Sequence, residues 1–116
     1  MFESVKKILF VCSANKQRSK TAEDYFSENF SEFEFYSAGT NLKLCEKAGT
    51  NPLTKKVLEN ADLIFVMESK HKNEINKLFG NDYTQKIEIL NIPDKYKYYQ
   101  KELIEIIKTK VKNKIL

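Results

Sequence analysis

Short apolar runs alternate along this chain with segments whose apolar residues recur at helical spacing, and that alternation narrows the fold more than any other feature. Val5 to Val11 (VKKILFV) grows more apolar as it goes, as a buried parallel strand does. Phe33 to Tyr36 alternates and is rich in aromatics, which reads as a second strand closed by a turn at Ser37-Ala38-Gly39-Thr40. Asp62 to Met67 (DLIFVM) is apolar after its first residue, and Ile87 to Leu90 makes a fourth run. Helical spacing links Ala22, Phe26 and Phe30, with Tyr25 beside them, and then Leu53, Val57 and Leu58, behind a start signal at Asn51-Pro52. Ile75, Leu78 and Phe79 follow a capping Ser69 and stop at Gly80, and Leu103, Ile104, Ile107, Val111 and Ile115 stripe a last helix. Asn41 to Thr50 and Asn91 to Tyr99 read as loops. The expected architecture is an α/β three-layer sandwich: a four-stranded parallel sheet with right-handed crossovers and helices on both faces. Residues 1–116 form one domain, since domains usually run about 100–150 residues.

Ligands of such sheets sit at the carboxyl ends of the strands, and there the run ending at Val11 meets Cys12 and the polar stretch Ser13 to Ser19, broken only by Ala14. Of twenty basic residues, only Arg18 is arginine. Arginine grips a phosphate through a planar fork that a lysine point charge does not reproduce, so the placing of that one guanidinium six residues after a cysteine is informative. Successive backbone N–H groups in a tight loop that ends at a helix N-terminus form a concave nest for a dianion. Ser13, Ala14, Asn15, Lys16, Gln17 and Arg18 are the expected phosphate-binding residues, and the same field favours the thiolate form of Cys12 as nucleophile. The plainer alternative is a buried structural cysteine beside a surface arginine.

Cys12, Asn15 and the pair Arg18-Ser19 opening a helix resemble the low-molecular-weight protein tyrosine phosphatases, as do Ser37-Ala38-Gly39-Thr40 and Ala61-Asp62-Leu63-Ile64 with Met67. The resemblance implies a phosphatase acting in two steps through a phosphocysteine, in which Ser19 hydrogen-bonds the Cys12 sulfur. It further implies a general acid from the loop after the fourth strand, where Asp94 stands in Ile92-Pro93-Asp94-Lys95-Tyr96. Of the aromatic residues there, Tyr96 is preferred over Tyr98 and Tyr99 as a wall for a substrate ring, packing beside a helix being the alternative role. Phosphotyrosine is the substrate that the resemblance favours. The chain departs from the pattern in having no glycine in the loop, which leaves Asn15 as the residue best able to adopt a left-handed conformation. Gln17 stands where many members have a second cysteine, Lys20 replaces a proline, the segment between Thr40 and Ala61 is short, and Asp94 follows its proline instead of preceding it.

A phosphorylated protein or small phosphate monoester is thus the expected partner, and a phosphate or sulfate ion the expected occupant of the loop. Three rivals remain open. Arsenate reduction on the same fold would by resemblance need two further cysteines where only Cys45 exists, a cysteine phosphocarrier would not need Arg18 or Asp94, and a phosphate-binding module would not turn over. No cofactor or metal is expected, because His71, the one histidine, reads as part of a solvated helix start without ligand partners. Nucleic acid is not an expected partner, since the lysines behind the net charge of +4 are interleaved with sixteen acids. Nor is a membrane, the apolar runs being far short of the ~20 residues a bilayer needs. Two unpaired cysteines and a start without a long apolar stretch suggest the cytoplasm.

Overall fold

The computed structural model describes residues 6–115. Four parallel strands, β1 (Lys6–Cys12), β2 (Phe33–Gly39), β3 (Leu63–Val66) and β4 (Ile87–Ile89), lie in the order β2-β1-β3-β4. Five α-helices connect or flank them: α1 (Arg18–Asn29), α2 (Leu42–Ala48), α3 (Lys55–Asn60), α4 (Ser69–Phe79) and α5 (Lys101–Ile115). A 3₁₀ turn at Asn81–Lys86 leads into β4.

The period of two in β1 sorts its side chains onto two cores. Ile8 and Phe10 join Ala22 and Phe26 of α1 and Leu103, Ile107 and Val111 of α5 on one face. Leu9 and Val11 join Leu58 of α3 and Ile75 of α4 on the other. Phe10 is the hub of the first core, with the rings of Phe26, Phe35 and Phe65 centred 5.7, 6.1 and 5.6 Å away. Because both faces are covered, β1 and β3 read as continuous apolar runs, and the sheet is the three-layer arrangement expected. The chain leaves β1 toward β2 on one side and later enters β3 on the other. The carboxyl end of β1, where Cys12 sits, is therefore the switch point at which an α/β sheet opens a crevice.

The segment from Ser37 to Ser69 corrects several expectations. Ser37, Ala38 and Gly39 extend β2 instead of turning, and Gly39 pairs with Cys12. A Cβ at Gly39 would collide with the carbonyl oxygen of Ser13 and with the Cys45 sulfur, so only glycine fits there. Asn41 to Thr50 is not a loop but holds α2: the Asn41 side chain accepts from Leu44 N at 3.1 Å, and Gly49 closes the end in a left-handed conformation, φ 70°. Asn51-Pro52 does not start the next helix. Pro52 bridges Gly39 at the sheet edge, and Thr54 caps α3 from its side chain, 3.2 Å from Val57 N. Ser69 is the first residue of α4, preceded by Glu68 as N-cap, and Leu78 of that helix faces solvent.

Candidate active site

Cys12 ends β1, five residues make the turn, and α1 begins at Arg18, so the strand end and the helix N-terminus face each other across the loop. Asn15 sits at its centre, buried, with φ 54°. Asparagine tolerates that left-handed geometry through its short polar side chain, which takes the place of the missing glycine. Its amide is used at both ends: Nδ2 donates to Ser19 Oγ at 2.8 Å, and Oδ1 accepts from Asn51 N at 3.1 Å. Thr50 Oγ1 donates to the carbonyl of Ala14 at 2.5 Å, so the segment after α2 ties the loop down from outside.

Ser19 does not cap α1, because the helix already includes it and its hydroxyl points inward, fully buried, 3.0 Å from the Cys12 sulfur. With its oxygen accepting from Asn15, Ser19 has its proton left for the sulfur. Among the described residues, no protein acceptor takes the backbone N–H of Ser13, Ala14, Asn15, Lys16, Gln17 or Arg18. Unengaged N–H groups in a tight loop beside a helix start are the donors from which a nest for an anion is built.

The Arg18 side chain is 2% exposed and is oriented from below. Nη1 donates to the carbonyl of Ile92 at 2.8 Å and pairs with the Glu68 carboxylate, while Nε lies 3.8 Å from Asp94 Oδ1. A buried guanidinium needs such compensation. The hydrogen bond from Arg18 holds the Glu68 carboxyl below its usual range. Asp94 is 62% exposed and, with Cys12, Ser13, Ala14, Lys16, Gln17, Arg18 and Leu44, lines a pocket of about 280 Å³. Its loop is fastened to α1, since Tyr98 donates to Asp24 at 2.5 Å and Tyr99 N donates to Thr21 Oγ1 at 2.8 Å.

Four side chains are placed differently from the expectation. Tyr96 does not line the Cys12 pocket; it packs against the α1/α5 core and borders a separate groove with Ile106, the ring being drawn to apolar surface. Tyr98 and Tyr99 are likewise committed to α1, donating from their hydroxyls to Asp24 and Glu28. His71 is not solvated: it is fully buried, accepting at Nδ1 from Glu68 N and meeting Ser13 Oγ at Nε2, each at 3.0 Å. Burial, followed by the nearby charge of Arg18, lowers its pKa to about 4. The sequence reading also missed Leu44, the apolar wall of the pocket, and Glu68, the partner of Arg18. Among the described residues no group of three His, Cys, Asp or Glu is disposed to hold a metal ion, and no helix is long and apolar enough to cross a membrane.

No family model and no curated protein matches the sequence. Solved structures do. A mutant of YwlE from Bacillus subtilis is 25% identical, with a TM-score of 0.70, over 93% of this chain and 97% of that one. The tyrosine phosphatase Wzb from Escherichia coli K30 in complex with phosphate is 20% identical, with a TM-score of 0.74, over 95% and 96%. A low molecular weight protein tyrosine phosphatase from Streptococcus pyogenes is 17% identical, with a TM-score of 0.69, over 90% and 85%. The chain therefore has the low-molecular-weight protein tyrosine phosphatase fold.

Proposed function

We propose that this chain is a cysteine-dependent phosphatase that hydrolyses phosphate monoesters, phosphotyrosine foremost, through a phosphocysteine. The observation that carries the reading is the Cys12 sulfur at the base of a loop of unengaged N–H groups, with the Ser19 hydroxyl 3.0 Å away and a buried Arg18 at its side. In the first step the sulfur attacks phosphorus and the bond to the leaving oxygen breaks. Asp94, at the pocket mouth, gives that oxygen a proton. In the second, Asp94 takes a proton from water, whose oxygen attacks phosphorus and frees the thiolate and inorganic phosphate. Arg18 and the loop N–H groups stabilise the charge spread over the equatorial oxygens.

Among the structural neighbours, YwlE is described as an arginine phosphatase, and one of its mutants carries a phosphorylated active site serine. Here Lys16 and Leu44 line the pocket together with Asp94, whose carboxyl is committed to proton transfer in this reading. An ammonium and an isobutyl group suit the neutral, apolar ring of a phosphotyrosine better than the cationic guanidinium of a phosphoarginine. Hydrolysis of p-nitrophenyl phosphate, with Cys12→Ser as control, tests the reading. Steady turnover by the wild type and less than a tenth of it in the variant are expected; no turnover by the wild type would leave a binding module or a phosphocarrier.

A further inference from the structure

His71 has no part in the two steps above, yet it is fully buried and both of its ring nitrogens are engaged. The N–H of Glu68 donates to Nδ1, so the neutral ring carries its proton on Nε2. That proton is directed at Ser13 Oγ, 3.0 Å away. With its oxygen accepting from the ring, Ser13 has its own hydroxyl proton left to give, and it lines the pocket beside Cys12. Of the charged groups around the ring, Arg18 and Lys70 favour the neutral form along with burial, while Glu68 and Glu74 oppose it.

We propose that His71 is a positioning residue for phosphate binding, which by donating from Nε2 to Ser13 turns the Ser13 hydroxyl proton toward a phosphate oxygen in the Cys12 pocket. The inference rests on the phosphatase reading and adds a side-chain donor to the ring of backbone N–H groups. An unrestrained serine hydroxyl rotates among staggered positions, so fixing it beforehand spares that ordering when the anion binds. The same turn of α4 serves the other wall of the pocket, because Glu68, whose N–H sets the tautomer, also holds Arg18.

Two variants separate this role from simple support of the helix start. His71→Asn keeps an oxygen where Nδ1 accepts from Glu68 but is too short to reach Ser13. His71→Gln places an amide N–H where Nε2 was. With orthovanadate as the probe, Ser13→Ala and His71→Asn should each weaken binding about tenfold to a hundredfold, the range for one hydrogen bond to a charged group. The double variant should lose no more than either alone, and His71→Gln should recover most of the loss. Losses that multiply in the double variant, or His71→Gln as weak as His71→Asn, would overturn the proposal. Wild-type protein that does not bind vanadate would overturn the phosphatase reading and this inference with it, whereas wild-type binding with unmoved variants would overturn the inference alone. Since His71 is the one histidine, nitrogen NMR of the wild type checks the tautomer without any variant. A proton on Nε2 at neutral pH is expected, and one on Nδ1 would contradict the proposal.

Discussion

The Ser19 hydroxyl faces the Cys12 sulfur at 3.0 Å because Asn15, 2.8 Å away on its other side, occupies the hydroxyl oxygen as a donor. The direction of the Ser19 proton is therefore set by a residue in a left-handed turn. Ser19→Ala removes that proton from the sulfur and leaves Asn15 Nδ2 without its acceptor. Alkylation of Cys12 by iodoacetamide at neutral pH should slow about tenfold or more, as expected for losing a hydrogen bond to a charged group. An unchanged rate would mean that the loop N–H groups alone stabilise the thiolate.

Arg18→Lys keeps the charge and loses the fork. A lysine ammonium cannot reach Glu68, the Ile92 carbonyl and a phosphate oxygen together, as the guanidinium is arranged to do. Turnover should fall about a hundredfold or more, comparable to deleting an oxyanion donor, with weaker binding of inorganic phosphate in calorimetry. Wild-type phosphate affinity in that variant would contradict the pocket as drawn.

Asp94→Asn should depend on the leaving group. Protonation matters most for a basic departing oxygen, so single-turnover bursts with phosphotyrosine should slow far more than those with p-nitrophenyl phosphate, by up to about 10²–10⁴-fold. Equal, small losses on both substrates would reduce Asp94 to a turn residue that happens to lie 3.8 Å from Arg18.

The Cys12 loop was legible because it sits at a break in pattern, whereas Asp94 was reached through the family resemblance, as the acid in the loop after the fourth strand. A run of apolar residues stops at Cys12, and the chain's one arginine follows within the next turn. The supports of the site were not legible. Glu68 and His71 lie 50 and 58 residues from their partners Arg18 and Ser13, and nothing local distinguishes them from solvated residues of an amphipathic helix. Helix α2 escaped for a different reason: it buries only Cys45 and leaves Leu42 and Leu44 exposed, so it shows no apolar stripe. Its end signals were nonetheless present, Asn41 as cap and Gly49 as left-handed terminus. The extension of β2 through Gly39 was hidden because Ser37 and Gly39 resemble turn residues. The lack of room for a Cβ at Gly39, created by Ser13 and Cys45, is a property of the folded chain.

Stability should depend on pH through His71. Its pKa is lowered from 6.5 to about 4 on folding, so between those values the unfolded chain binds the extra proton. The neutral ring's contribution is complete above pH 6.5 and is lost as the pH falls toward 4, by at most about 3 kcal/mol. Glu68, whose pKa is lowered from 4.5, adds a loss at still lower pH. Urea midpoints of the wild type should fall between about pH 7 and about pH 5, and the slope should flatten in His71→Asn. A midpoint constant over that range would show that the ring protonates in place.

The covalent step is the centre of the account, and trapping it is the most direct test. Wild-type enzyme mixed with p-nitrophenyl phosphate and quenched in acid within the first turnover should carry one phosphoryl group, located by mass spectrometry of the digested chain on Cys12. A phosphoryl group on any other residue, or phosphate release that proceeds at full rate with Cys12 unmodified, would contradict a phosphocysteine mechanism.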